Sequence, residues 1–186
     1  MLILVTGGTG FIGRFLVDAL VDRGDQVTVV TRNPSLARQR GRDDVTYRGW
    51  LPSLEGYDAV VNLTGAPLFG KRWNKNVCRK IEESRVRSAS WVAQSIAECS
   101  RPPKVFVSGS AIGFYGDRGS EVLSEEAPPG TGFLAEVCEK WETAALSPAR
   151  TVLLRTGIVL HPSGGPLQQM LPPFRLGLGG PIGAGR

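Results

Sequence analysis

The stretch Thr6-Gly7-Gly8-Thr9-Gly10-Phe11-Ile12-Gly13 decides the fold of this 186-residue chain. It follows a short apolar run, Leu2–Thr6, of the kind found in buried parallel strands. Apolar residues then recur at helical spacing from Phe11 to Arg23, Gly24 ends the predicted helix, and Gln26–Thr31 returns to strand character. Strand, glycine turn, helix and strand within about thirty residues are typical of one βαβ unit.

The glycines of this turn have separate tasks. They form GxGxxG counted from Gly8 and GxxGxxG counted from Gly7. One glycine is needed where φ is positive, another where a Cβ would collide with a pyrophosphate, and Gly13 lets the helix pack on the strand. The helix N-terminus offers free N–H groups to phosphates. The pattern predicts dinucleotide binding, with a purely structural turn as the alternative. The predicted phosphate-binding residues are Gly7, Gly8, Gly10, Phe11, Ile12 and Gly13.

The end of the second strand indicates which dinucleotide is bound. An NAD-preferring site usually has Asp or Glu there for the ribose hydroxyls. This chain has Thr31, Arg32 and Asn33 instead. The guanidinium of Arg32 is suited to grip a 2′-phosphate and to stack on adenine, although an ordinary exposed arginine is the alternative. The sequence therefore predicts NADP(H) as cofactor, with Thr31 and Arg32 at its adenosine end.

The remainder of the chain alternates strands and helices. This alternation predicts an α/β fold: a Rossmann-type doubly wound parallel sheet with helices on both faces. We expect an NADP(H)-binding domain at 1–160 and the start of an incomplete substrate-binding region at 161–186, because the tail is glycine-rich and lacks apolar periodicity. The predicted strands are Val45–Gly49, Ala59–Leu63, Lys104–Ser108 and Thr151–Arg155, and the predicted helices are Asn74–Glu98 and Leu134–Ala145.

Composition argues against several classes of protein. Lys and Arg exceed Asp and Glu by 22 to 17, and the acids interleave with the bases, which favours a solvated surface over nucleic-acid binding. Cys78, Cys99 and Cys138 are widely spaced, so we expect neither a metal site nor a disulfide framework. No apolar run approaches a membrane span. We predict a cytoplasmic protein, and an organelle location after removal of a targeting peptide stays open.

Several longer motifs accompany the glycine turn. Together they resemble the extended short-chain dehydrogenase/reductase superfamily, and within it the atypical NAD-dependent-epimerase-like branch that includes cell-division-inhibitor homologues. The resemblance covers the whole chain. The motifs are Asn-Leu-Thr-Gly from Asn62, Glu-Ser-Arg from Glu83, Ser-Gly-Ser-Ala-Ile-Gly-Phe-Tyr-Gly from Ser108, Leu-Arg-Thr-Gly-Ile-Val-Leu from Leu154, and Pro-Phe-Arg-Leu-Gly-Leu-Gly-Gly-Pro-Ile-Gly from Pro173.

The resemblance implies further cofactor contacts. Leu63 and Thr64, with Gly65 of the same motif, would line the adenosine side, and the family usually has Ala at the position of Thr64. Arg85 would reach back toward the cofactor, and Val159 would lie near the nicotinamide end. The plain alternatives are core positions for Leu63 and Val159 and a solvated helix position for Arg85. Such families continue beyond the glycine-rich tail into a region that completes the substrate pocket.

The catalytic residues of the superfamily are only partly present. Ordinary members use a Ser after the fifth strand and a Tyr-x-x-x-Lys pair in the next helix as proton donor and its support. Ser110 matches the Ser, but alignment on Glu142 puts Leu134 and Cys138 at the Tyr and Lys positions. The usual mechanism is therefore not encoded. Tyr115, which follows the Ser110 segment, could substitute as proton donor, and a packed tyrosine is the alternative.

Three functional hypotheses follow. The chain is an NADP(H)-dependent oxidoreductase or epimerase-like enzyme acting on an unknown small carbonyl or nucleotide-sugar substrate. Alternatively, it is a non-catalytic NADP(H)-binding regulator, in the branch linked to cell division, or a scaffold whose glycine turn is vestigial. As partners we expect an unidentified small molecule but neither nucleic acid nor membrane. The long helix predicted at Asn74–Glu98 suggests a homodimer by analogy with related folds.

Overall fold

The computed structural model describes residues 1–70 and 72–180. Its strands and helices alternate along the chain. The strands are β1 (Leu2–Thr6), β2 (Gln26–Val30), β3 (Thr46–Arg48), β4 (Ala59–Asn62), β5 (Val105–Ala111) and β6 (Arg150–Thr156), and the helices are α1 (Phe11–Asp22), α2 (Pro34–Arg40), α3 (Lys75–Ala97), α4 (Phe133–Ala144) and α5 (Gly165–Arg175).

The strands form a parallel sheet in the order β3-β2-β1-β4-β5-β6. The chain leaves β1 in one direction to build β2 and β3, and it returns to the other side of β1 to build β4, β5 and β6. The order therefore reverses between β1 and β4. In such sheets ligands bind in the crevice outside the carboxyl ends of the strands at this reversal. In this chain the crevice lies between the glycine turn after Thr6 and the segment after Asn62.

Apolar side chains cover both faces of the sheet. One core cluster joins the buried face of α1, including Val17 and Leu20, to strand residues such as Val5 and Val29. The second joins Val92 and other α3 residues to the opposite strand face and to α4. Successive strand residues point to opposite faces, and both sets are buried here. The predicted doubly wound α/β fold with helices on both faces is confirmed.

Strand β5 is longer than the sequence predicted. We expected it to end at Ser108, but it runs to Ala111, because pairing with β6 continues through Ser110 opposite Arg155 and Ala111 opposite Thr156. Ser110 therefore lies within a strand rather than in a loop after it. Serine and glycine are weak strand formers, and only the neighbouring strand extends the element here.

The sequence prediction missed two helices. Helix α2 begins where the Asn33 side chain accepts a hydrogen bond from the Leu36 N–H, with Pro34 in the first turn. Helix α5 contains Pro172 and Pro173, which lack the N–H groups that would continue an α-helical ladder. Those prolines favoured an irregular segment. The predicted domain division at residue 160 stays a prediction, and residues 181–186 of the expected tail lie outside the described residues.

Candidate functional site

A groove of about 480 Å³ opens at the carboxyl edge of the sheet, at the reversal of strand order. Its volume is typical of pockets that hold small molecules and cofactors. Seven predicted site residues line it: Gly7, Gly10, Thr31, Arg32, Leu63, Thr64 and Gly65. The sequence prediction missed other lining residues, among them Thr9, Val30, Gly49, Ala66, Pro67, Ser84, Ser88 and Trp91.

The glycines of the turn differ in what surrounds them. Gly7 has φ of 74°, and a Cβ there would lie 2.6 Å from the Leu63 carbonyl carbon. A Cβ at Gly13 would overlap the Gly7 carbonyl oxygen and lie 2.7 Å from the Gly8 Cα. Packing alone therefore requires glycine at these two positions. At Gly10 the one neighbour within 4 Å of such a Cβ is the Gly7 oxygen, at 3.1 Å, so the space beyond Gly10 is free for a ligand.

Asn62 joins the two loops of the groove. Its fully buried side chain accepts hydrogen bonds at Oδ1 from the Thr6 hydroxyl, at 2.7 Å, and from the Thr64 N–H, at 3.1 Å. Its Nδ2 donates to the Ser88 hydroxyl at 3.3 Å. A buried amide satisfied in this way fixes its neighbours in place. The end of β1, the Leu63–Gly65 segment and α3 are thereby held in one arrangement.

Arg32 lies on the flank of the groove that follows β2. The backbone before it is fixed, because the Thr31 N–H donates to the Arg48 carbonyl at 2.9 Å. The Arg32 side chain is exposed and makes no ion pair within the described part of the chain. It lines both the groove and an adjoining cavity of about 750 Å³. Its charge is therefore available to an anionic ligand.

Arg85 approaches the groove from behind. Its guanidinium carbon lies 3.2 Å from the point that a Cβ on Gly65 would occupy, and 5.4 Å from the Trp141 ring centre. One nitrogen donates to the Ile81 carbonyl at 3.0 Å. Burial lowers the pKa of Arg85, because no carboxylate among the described side chains pairs with it to offset the desolvation. A half-buried cation under Gly65 is suited to a polar or anionic ligand above that loop.

Four predicted site residues lie around the turn without lining the groove: Gly8, Phe11, Ile12 and Gly13, whose packing is described above. Gly8 packs against Val29, since a Cβ there would lie 2.9 Å from a Val29 methyl carbon. Ile12 is exposed in the first turn of α1, and the Phe11 ring packs against Gly164 and Gly165.

Val159 is close to this glycine pair, with its carbonyl oxygen 3.2 Å from a Cβ built on Gly165. Arg14 holds the same segment by donating to the Ser163 hydroxyl at 2.6 Å. The structure thus brings Val159 near the start of α1 but outside the groove.

Ser110 and Tyr115 belong to one hydrogen-bonded network. The Ser110 hydroxyl donates to Glu142 Oε1 at 2.5 Å. Arg155 forms two parallel bonds with the Glu142 carboxylate, each 2.8 Å long, and donates from Nη1 to the Tyr115 hydroxyl oxygen at 2.9 Å. The same nitrogen reaches the Glu125 carbonyl, at 2.9 Å. Glu142 and Arg155, to which the sequence prediction gave no role in the site, connect the two predicted catalytic residues.

This network limits what Ser110 and Tyr115 can do. The Ser110 proton is directed at a carboxylate, so the hydroxyl oxygen can accept a hydrogen bond but does not donate one to a substrate carbonyl in this arrangement. The guanidinium of Arg155 lies 3.6 Å from the Phe114 ring centre, and the paired Glu142 carboxylate raises the pKa of Arg155 above its ordinary value. The sequence signals available for this pair were a glutamate, Glu142, within a predicted helix and an arginine, Arg155, at the end of a predicted strand.

Two further observations concern metal ions and membranes. In the described ranges, no three His, Cys, Asp or Glu side chains gather in a way that could hold a metal ion. Among the helices that the structure describes, none combines the length and the apolar character required to cross a bilayer.

Known proteins resemble this chain over its whole length. A protein of Arabidopsis thaliana described as a chloroplastic homologue of epimerase family protein SDR39U1 is 38% identical over an alignment of 198 residues, which covers 100% of this chain and 57% of that protein. The human SDR39U1 structure, solved with NADPH, has 37% identity and a TM-score of 0.85, covering 100% of this chain and 63% of that one. A nucleoside-diphosphate sugar epimerase structure from Corynebacterium glutamicum has 33% identity and a TM-score of 0.74, covering 99% and 39%.

The chain spans about three-fifths of the length of the curated relatives that it matches first. The sequence profile described as the NAD dependent epimerase/dehydratase family matches residues 3–135, which include the glycine turn, the Asn62 segment and β5. The predicted resemblance to an epimerase-like branch of the short-chain dehydrogenases is confirmed. This chain belongs to the NAD dependent epimerase/dehydratase family.

Proposed function

We propose that this chain binds NADP(H) in the groove between β1 and β4, with Arg32 selecting the 2′-phosphate. The observation that carries the proposal is Arg32, an exposed cation without an ion-pair partner among the described residues, placed at the end of β2 where NAD-preferring sites have an acid. The human relative solved with NADPH supports it.

The residues of the groove fit each part of this cofactor. The open space at Gly10 and the free N–H groups of the first turn of α1 suit the pyrophosphate. Leu63, Thr64 and Gly65 suit the adenosine side, and Arg85 lies beneath them. When bound, the cofactor would supply hydride transfer, and the protein would supply binding and orientation.

Calorimetric titration with NADPH and NADH tests the proposal. We expect wild-type protein to bind NADPH more tightly, and Arg32→Ala to lose about 10- to 100-fold in NADPH affinity, because a charge-assisted contact contributes about 1.5–3 kcal/mol. NADH affinity should fall less than NADPH affinity, because NADH has the adenine on which Arg32 stacks but lacks the 2′-phosphate. Arg150→Ala is the matched control, since Arg150 is an exposed arginine at the opposite, amino end of a strand. Equal affinities for both cofactors, or no binding of either, would contradict the proposal.

We further propose that the whole protein is an epimerase-like or oxidoreductase-like enzyme that acts on a small carbonyl or nucleotide-sugar substrate. Family membership supports this reaction class. The second candidate, a non-catalytic NADP(H)-binding regulator, is favoured by the engagement of Ser110 and Tyr115 with Glu142 and Arg155. A screen of the full-length protein that follows NADPH oxidation and also detects epimerised products directly decides between them, because epimerisation consumes no net NADPH. Turnover of either kind that Ser110→Ala abolishes would exclude the regulator.

We also make proposals about where this protein is located and how it assembles. We propose a cytoplasmic protein, and the chloroplastic description of the Arabidopsis relative makes an organelle the alternative to examine by fractionation. We propose a homodimer formed through α3, which light scattering of the purified protein would test. Neither nucleic acid nor membrane is proposed as a partner.

A further inference from the structure

Trp91 has a position that the cofactor residues named so far do not explain. This α3 side chain is 48% exposed, although tryptophan is among the largest apolar side chains. It lines both the groove of about 480 Å³ and the adjoining cavity of about 750 Å³. Arg32, Ala66, Ser84 and Ser88 also line both spaces. The two cavities are therefore parts of one continuous surface, with Trp91 at their junction.

The contacts of α3 fix the face on which Trp91 lies. Ser84, Ser88 and Trp91 follow one another at intervals of four and three residues, which places them on one side of the helix. The Ser84 hydroxyl accepts a hydrogen bond from the Ala66 N–H at 2.8 Å, and the Ser88 hydroxyl accepts one from Asn62 at 3.3 Å. The side of α3 that carries Trp91 is thus tied to the loop after β4.

Arg32 approaches the same space from the other direction. It follows β2, whereas Trp91 belongs to the helix tied to β4, and β1 lies between those two strands in the sheet. Two flat groups, an indole and a guanidinium, therefore approach one groove from opposite flanks. A planar heteroaromatic base fits between such groups, because both stack on π-faces.

We propose that Trp91 stacks on the adenine of NADP(H) and forms the wall of the adenine site across from Arg32. The inference rests on the proposed cofactor function and adds an adenine-binding residue to it. The charges around the larger cavity agree with an anionic ligand. Arg32, Lys80 and Arg87 line that cavity with a single carboxylate, Glu83, among its lining residues.

Binding of 2′,5′-ADP, the adenosine half of the cofactor, tests the proposal. We expect Trp91→Ala to weaken both 2′,5′-ADP and NADPH by about 5- to 100-fold, the range that loss of base–aromatic stacking gives. Trp91→Phe should stay within about threefold of wild type, because it retains an aromatic face. Gln94→Ala is the matched control, since Gln94 is exposed one turn further along the same helix and lines neither cavity.

The outcomes separate this proposal from the proposed function. Unchanged 2′,5′-ADP affinity in Trp91→Ala, with normal NADPH binding by wild type, overturns the role of Trp91 and leaves the cofactor site standing. If Trp91→Ala binds 2′,5′-ADP normally but light scattering shows a smaller molecular mass than for wild type, Trp91 belongs to a subunit contact and its proposed role in adenine binding is also overturned. Failure of wild type to bind either ligand overturns both proposals. If Trp91→Ala does not fold, Trp91→Leu removes the aromatic face while retaining bulk, and the same criteria apply.

Discussion

Replacing Glu142 with glutamine tests whether the Ser110 network is mainly structural. The Glu142 side chain is 9% exposed and accepts one hydrogen bond from Ser110 and two from Arg155. Glutamine preserves the volume and one acceptor oxygen but removes the negative charge. The guanidinium of Arg155, 18% exposed, then loses its carboxylate partner.

The expected cost follows from the burial of the pair. Removing one partner of a buried ion pair typically costs about 3–5 kcal/mol. Arg155 keeps its bonds to the Tyr115 hydroxyl and the Glu125 carbonyl and retains some solvent contact, so we expect about 2–3 kcal/mol for Glu142→Gln. In a domain of this size that lowers Tm by about 4–12 °C. Ser110→Ala should cost only about 1–1.5 kcal/mol, because Arg155 still satisfies the carboxylate.

Denaturant unfolding followed by circular dichroism measures these differences. The double variant Ser110→Ala/Glu142→Gln should cost less than the sum of the single variants, because both weaken or remove the same Ser110–Glu142 hydrogen bond. Glu139→Gln, at an exposed glutamate on the same helix, is the control and should change stability by less than about 0.5 kcal/mol. A stability for Glu142→Gln equal to that of this control would refute the reasoning, as would a larger cost for Ser110→Ala than for Glu142→Gln.

Two further predictions concern the glycine turn and the buried thiol. Gly13→Ala should destabilise the protein by about 1–3 kcal/mol, because the added Cβ meets backbone atoms. Gly10→Ala should keep Tm within about 4 °C yet abolish NADPH binding, because its Cβ would enter the space left for the ligand. The opposite pattern in thermal melts and calorimetry would contradict both assignments. Burial, reinforced by the nearby Glu142 charge, raises the pKa of the Cys138 thiol. The protonated thiol therefore contributes to the stability of the folded state below the ordinary thiol pKa, and this contribution is lost as pH rises through the raised pKa. Alkylation of native protein followed by mass spectrometry should therefore leave Cys138 unmodified from about pH 7 to about pH 9, and its rapid modification there would show that it is accessible.

The first βαβ unit was readable from sequence because its determinants are local. The apolar run before Thr6, the glycines of the turn and the helical spacing from Phe11 act within a few residues of one another. Local signals also marked α2, where Asn33 and Pro34 form a recognisable helix start that the prediction overlooked. The sequence did not give the order of the strands, which depends on how distant strands pair in the folded sheet.

The sequence also indicated which loops form the groove. Gly7, Arg32 and Leu63 follow three different strands, and the carboxyl ends of neighbouring parallel strands meet at one edge of a sheet. It did not indicate which parts of α3 join them. Ser84, Ser88 and Trp91 share one helix face, yet the pattern alone does not state whether that face meets a ligand, the core or solvent.

By itself, the sequence determined the fold class, the position of the glycine turn between β1 and α1 and the absence of a Tyr-x-x-x-Lys pair. Only the tertiary structure decided that Ser110 lies in β5 and donates to Glu142, 32 residues away, and that Arg155 joins both to Tyr115. The physical reason is range. Periodicity and turn geometry act over a few residues, whereas a buried ion pair depends on strand register and helix packing that place distant side chains within hydrogen-bonding distance.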